Sequence, residues 1–338
     1  MWWLLAAQLV LPSAETAPVA SLEDAADDAA IWVHPEDPAR SLILGTDKQA
    51  GLRVYDLSGR EIAFLPIGRL NNVDVARGIG LAGLTGDLAA ASNRSDDSVT
   101  LFAVSEAGVE QVSAFSVGPE PYGLCLGQDR GRTVIFVAYK QGYVQPYVLT
   151  GLDRDPIALR PAFFAGQTEG CAYDAPTKRL YVAEEQGALW AVPLFEAGLA
   201  PAGWQSIAEV GGPEGLVGDA EGVTIYRTAE DAVLLVSSQG DDSVLAFDIA
   251  DGHAFLGKFR IVADAQAGVD GAQETDGIVV TATGLGPAYP KGLLVVQDGF
   301  NVDGVDADGR TEDEVPLAPQ NFKLIDWRDV MAALRPGK

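Results

Sequence analysis

Apolar residues in this chain come in short runs, such as "AAIWV" at 29–33, "TVIFVAY" at 133–139, "AVLLV" at 232–236 and "LLVV" at 293–296, broken by Gly, Asp, Asn and Pro. Runs of this length, rich in Val, Ile, Leu, Ala, Phe and Tyr and bounded by turn residues, predict β-strands rather than helices. Six segments share one opening: "DDAAIWVHP" from Asp27, "NNVDVAR" from Asn71, "EPYGLCLG" from Glu120, "TEGCAYD" from Thr168, "DAEGVTIY" from Asp219 and "ETDGIVVTA" from Glu274. Each leads through a turn into a second apolar run, and most into a third. The starts recur every roughly 45 to 55 residues, a period that signals stacked supersecondary units. Six units of three to four strands predict an all-β fold, a six-bladed β-propeller with a central channel, spanning residues 21–338 as one domain. "ASNRSDDSVTLFAV" and "SSQGDDSVLAFDI" are close enough to make the repeat visible by eye. Only "DWRDVMAALR" reads as a helix, with Asp326 as its N-cap.

In a propeller the first strand of every blade lines the channel, so equivalent positions converge on one mouth. Asp27, Asp28, Asn71, Asn72, Glu120, Glu169, Asp219, Glu221 and Asp276 then form a ring of oxygen donors. The ends of the second strands supply Lys48, Arg94 and Lys140 in the first three blades, and Glu184, Glu185, Gln239 and Asp298 in the last three. Crowded carboxylates raise one another's pKa unless cations neutralise them. Oxygen donors without His or Cys suit Ca²⁺ better than Zn²⁺. For any single acid, a turn-capping role is the simpler reading. The set, faced by bases, points to a site. His34 and His253 read as structural or solvated.

Charge narrows the partners. With 48 acids against 23 bases the net charge is −25, which disfavours nucleic acid and anionic membranes and favours cations. The opening "MWWLLAAQLVLPSAETAPVA" is too short to span a bilayer and resembles the apolar core of a secretory signal, so residues 1–20 are expected to be a leader and the protein secreted or periplasmic. A disordered tail or an N-terminal strand is the alternative. Cys125 and Cys171 lie in apolar runs and read as buried small hydrophobes; whether they pair stays open. Neither is followed by the arginine of a cysteine-phosphatase loop. "NVDGVDADGRTEDE" at 301–314 matches a calcium-loop pattern poorly and reads as a solvated acidic loop.

At "DAADDAAIWVHP" and "LNNVDV" the sequence resembles the β-propeller phytases, calcium-dependent enzymes that remove phosphates from inositol hexakisphosphate. The likeness runs from about Asp24 to Trp327 through "ASNRS", "QTEG", "YVAEE", "AEGVTIY", "SSQG", "TDGI", "LGPAYPKGLLVVQDG" and "QNFKLIDW". It implies that Asp24, Asp27, Lys48, Arg94, Tyr122 and Lys140 surround or contact substrate phosphates. It implies that Asp28, Asn72, Asp74, Glu169, Glu185, Asp219, Glu221, Gln239 and Asp276 hold or support several Ca²⁺ ions. The catalytic set so implied is Lys48, Arg94, Lys140, Glu169 and Glu221. The reaction is stepwise phosphate release from phytate or calcium-phytate by a calcium-activated water, in a protein expected to be monomeric. The chain departs from the family in "DDAAIW" for "DDPAIW", in "NNVDVAR" for "NNVDIR", which sets Arg77 one residue late, and in Pro119 and Gln141 for an asparagine and an acid. These changes bear on a second phosphate subsite more than on the metal centre. A calcium-dependent propeller lactonase would have no use for Lys48, Arg94 and Lys140, and a purely binding propeller would use calcium only structurally.

Overall fold

The computed structural model describes residues 7–301 and 318–335. Each repeat folds into one antiparallel sheet, and six sheets stand around a central axis. The innermost strands are Ala26–Trp32, Leu70–Ala76, Pro121–Asp129, Thr168–Asp174, Ala220–Arg227 and Ile278–Thr281. We number the blades I to VI in that order. Neighbouring innermost strands touch, and that of blade VI touches that of blade I, so the ring is closed. The expected six-bladed propeller and its acid-rich strand starts are therefore observed.

The hydrophobic core is divided into six interfaces rather than one centre. Between blades I and II, Trp32, Leu44, Val54, Val73, Ala89 and Phe102 pack together, and the Trp32 indole donates to Asp87 Oδ2 across the seam at 2.8 Å. Alternate residues of each sheet thus face opposite neighbours, which explains why the strands read as nearly continuous apolar runs.

The chain closes the ring from both ends. Blade VI contains Leu293–Asp298 and Asn321–Asp326, and Ala14–Glu15 pairs antiparallel with the latter. Gln8–Val10 adds a parallel outer strand to Ala254–Ile261 of blade V. The apolar run expected as a leader is, over these residues, paired into two blades. A short apolar run carries the same signature in a signal core and in a sheet strand. Trp327–Leu334 forms the helix, and Asp326 caps it by accepting from Arg328 N at 2.9 Å. The acidic segment at 301–314 lies, beyond Asn301, outside the described residues.

A recurrent irregularity sets up the mouth. In blades I to V the pairing between first and second strands shifts register at one position: between Ala26 and Ala29, Leu70 and Val73, Pro121 and Leu124, Thr168 and Cys171, and Ala220 and Val223. Each shift is a β-bulge, which bends the strand and re-aims its side chains. The bulged residues are Asp27–Asp28, Asn71–Asn72, Tyr122–Gly123, Glu169–Gly170 and Glu221–Gly222. The glycines answer a packing demand: a Cβ on Gly123 would meet the main chain of Glu169, and one on Gly170 that of Glu221. In blades IV and V the acid–glycine pair thus marks a bulge that lies against the backbone of the next blade.

Candidate active site

The bulges deliver polar side chains to one end of the channel. Asp24, Lys48, Tyr122, Gln167, Glu185, Asp219, Glu221, Gln239 and Asp276 are among the residues lining a cavity of about 270 Å³ there. Lys48 is the hub of one half. Its Nζ lies 2.5 Å from Asp24 Oδ1, 3.1 Å from Asp27 Oδ1 and 2.9 Å from Asp276 Oδ2. Burial disfavours its charge, yet Asp27, Asp276 and Asp24 hold its pKa well above the ordinary lysine value. Gln239 donates to the other oxygen of Asp276 at 2.6 Å.

Arg94, Tyr122 and Lys140 form the opposite wall. Lys140 Nζ sits 4.4 Å and the Arg94 guanidinium 5.5 Å from the Tyr122 ring centre, both within cation–π range. Neither cation pairs with a carboxylate among the described residues; the guanidinium donates to Asn71 Oδ1 at 3.1 Å. In a protein with twice as many acids as bases, two cations without acidic partners make an anion-ready surface. The charge of Glu169, then burial, pushes the Tyr122 hydroxyl far above the usual phenol range, so it remains a donor.

Between these walls stand Glu169, Glu185 and Glu221, each offering an oxygen within 4.8 Å of the others. Calcium takes oxygens at about 2.3–2.6 Å, so oxygens around one ion lie up to about 5 Å apart. Glu169 and Glu221 are buried and Glu185 half-buried. Burial, then the charge of Asp276, pushes Glu169 up to about 7; burial pushes Glu185 to about 7 as well. Burial, then Glu169, raises Glu221 well above the carboxylate range. Glu221 Oε2 and Asp27 Oδ2 are buried without a hydrogen-bond partner. Buried carboxylate oxygens left without a partner, in an all-oxygen set, fit a hard divalent cation.

The remaining expected residues are distributed around this centre. Asp28 is buried on the channel side, where its Oδ2 accepts from Val73 N at 3.1 Å; burial holds its pKa well above the usual range. Asn72 and Asp74 line the channel with it. Asp74 accepts from Leu126 N and Val75 N, both at 2.7 Å, and so ties blade II to blade III. Asp219 accepts from the Gln186 amide at the rim. Glu120, also at the rim, accepts from Gln141 at 2.7 Å. Two acids of the second-strand set turn away: Glu184 accepts from Gly166 N and the Trp190 indole, and Asp298 pairs with Lys323 at 3.1 Å. Arg77, half-exposed, stands 4.0 Å from Asp87 and outside the mouth. Cys125 and Cys171 are joined in a disulfide between the innermost strands of blades III and IV, two residues from Glu169. Asn71, expected as an oxygen donor of the ring, sits in the bulge of blade II and joins Arg94 of the one wall to Glu169 of the central cluster.

Fold and mouth together define a six-bladed propeller with a polar, oxygen-lined site on its axis. Solved structures of the same shape include the calcium-binding regucalcin of Agrobacterium tumefaciens (TM-score 0.58, 12% identity, covering 95% of this chain and 97% of that one). Another is the α-L-arabinofuranosidase of Fusarium graminearum (TM-score 0.59, 11% identity, 95% and 99%). At such identities they establish the fold alone. A model of the phytase family matches residues 5–336, and a 3-phytase of Bacillus subtilis (strain 168) is 34% identical over 331 residues, 94% of this chain and 83% of that protein. The chain belongs to the phytase family and is an enzyme of that class.

Proposed function

We propose that this enzyme hydrolyses phytate, releasing its phosphates stepwise, with calcium ions held by the carboxylates of the mouth. The observation that carries the reading is the juxtaposition of two kinds of wall: Arg94 and Lys140 without acidic partners, facing the Glu169, Glu185 and Glu221 cluster. Glu169, Glu185 and Glu221 form the central cation set, with Asp28, Asp219, Gln239 and Asp276 around it and Asn72 and Asp74 supporting it from the channel. When bound there, calcium supplies charge neutralisation and a water of lowered pKa.

The chain's own residues do the rest. Arg94 and Lys140 bind phosphate oxygens through charge-assisted hydrogen bonds and orient the ester. Tyr122 holds both cations in place and offers its hydroxyl as a donor. Lys48, held at the mouth by Asp24, Asp27 and Asp276, would add a third positive charge toward the phosphate. Three fixed donors around a phosphoryl group favour the transition state, in which charge accumulates on the equatorial oxygens. No side chain is required as a covalent nucleophile.

The Cys125–Cys171 bond fits an oxidising compartment, and no helix among the described residues is long and apolar enough to cross a membrane. Both agree with a secreted or periplasmic enzyme, here assigned as a monomer. The test is phosphate release from phytate by calcium-stripped protein, with and without added Ca²⁺, alongside Glu221→Gln. Release that requires calcium and falls about 100-fold or more in the variant supports the reading. Folded protein that releases no phosphate at any calcium level refutes it.

A further inference from the structure

Asn71 is fully buried in the bulge of blade II, and every group of its amide is used. Oδ1 accepts from the Arg94 guanidinium at 3.1 Å. Nδ2 donates to Glu169 Oε1 at 2.8 Å and to Asn72 Oδ1 at 3.0 Å. Guanidinium groups only donate and carboxylates only accept, so a single amide orientation serves both neighbours.

The amide therefore stands between a cation and an anion that would otherwise attract each other strongly in a site of low dielectric. A direct pair would have consequences for both partners. Arg94 would spend its fork on Glu169 instead of a phosphate, and Glu169 would spend an oxygen on Arg94 instead of a metal ion. Asp at this position would be an acceptor toward both neighbours, and an aliphatic residue would serve neither. The third hydrogen bond, to Asn72, fixes the amide plane.

We infer that Asn71 is a positioning residue, a neutral spacer that keeps the phosphate-binding Arg94 from collapsing onto the cation-binding Glu169. The inference rests on the functional reading above, and it predicts a pattern that loss of packing alone does not produce. Removing the spacer lets Arg94 compete with calcium for Glu169, so removing Arg94 as well restores calcium binding.

Calcium affinity by titration calorimetry, together with KM and kcat on phytate, is compared for the wild type, Asn71→Ala, Asn71→Asp, Arg94→Ala and the double variant Asn71→Ala/Arg94→Ala. Asn71→Ala is expected to bind calcium about tenfold more weakly, because Arg94 then competes for Glu169 through a charge-assisted hydrogen bond worth about that factor, and to show a raised KM. The double variant regains the calcium affinity of Arg94→Ala while its KM stays high. Asn71→Asp, which ties Arg94 to a new carboxylate, raises KM without weakening calcium binding. If Asn71→Ala does not fold, judged by its melting curve, Asn71→Ser with and without Arg94→Ala gives the same contrast. A double variant as weak for calcium as the single one, or a single variant that matches the wild type, overturns the spacer role. Wild-type protein that binds calcium but releases no phosphate overturns the functional reading instead, and the calcium titrations still decide the spacer.

Discussion

Two clusters of buried charge sit on the same propeller and meet opposite fates. At the closing blade, Lys323 is fully buried and pairs with Asp298 at 3.1 Å, with Glu15 at 2.6 Å and with Asp270. Asp298 also accepts from Gln273 N and Phe300 N. This cluster supplies its own cation and backbone donors. The mouth cluster of Glu169, Glu185 and Glu221 has neutral amides instead, Asn71 on Glu169 and Gln167 on Glu185, while Glu221 Oε2 has no partner. Burial is similar in kind; what differs is who brings the counter-charge. A cluster with its own cation needs none from solution; one without is where the proposed function places calcium.

The sharpest way to break the comparison is to strip the first cluster of its cation. Lys323→Met leaves Asp270 and Asp298 buried without their lysine and should cost about 3–5 kcal/mol in denaturant unfolding. Cys125→Ser, which removes the bond between blades III and IV beside Glu169, should cost about 2–4 kcal/mol, read as a lower melting temperature under non-reducing conditions.

The third effect is a pH dependence. Glu169 and Glu185 have ordinary values near 4.5 and are pushed up to about 7 by burial. Over that window the calcium-free folded state binds more protons than the unfolded chain, so this contribution to stability is full below pH 4.5 and is lost as pH rises through 7. Calcium-free protein should therefore lose stability through these groups between pH 5 and pH 8. Calcium should raise the melting temperature more at pH 8 than at pH 5, and an equal rise at both would count against the uncompensated cluster.

The repeat and its acidic strand starts were legible in the sequence because each blade must rebuild the same inner strand beside the same neighbour. Glu169–Gly170 and Glu221–Gly222 carry that demand openly, since only glycine fits beneath the next backbone. The helix cap at Asp326 was legible for a similar reason, being a local hydrogen bond. What stayed hidden depends on partners far away in the chain. Gln8–Val10 and Ala14–Glu15 find their strands some 250 or more residues later, and no local pattern separates such runs from a signal core. The Cys125–Cys171 bond needs two bulged strands brought side by side. Glu184 and Asp298 share a strand position with Glu185 and Gln239 or nearly so, but the Trp190 indole and Lys323 claim them. Asn71 reads as one more oxygen donor until its amide is seen to face both Arg94 and Glu169.

The proposed role of calcium is to supply the counter-charge that no ion pair among the described residues brings to Glu169, Glu185 and Glu221. Its most direct test is the melting temperature of calcium-stripped protein at pH 8, titrated with Ca²⁺, for the wild type and for Glu169→Gln/Glu221→Gln. The uncompensated cluster predicts a calcium-dependent rise in the wild type that is largely lost in the double variant. A double variant that gains as much from calcium as the wild type would contradict it.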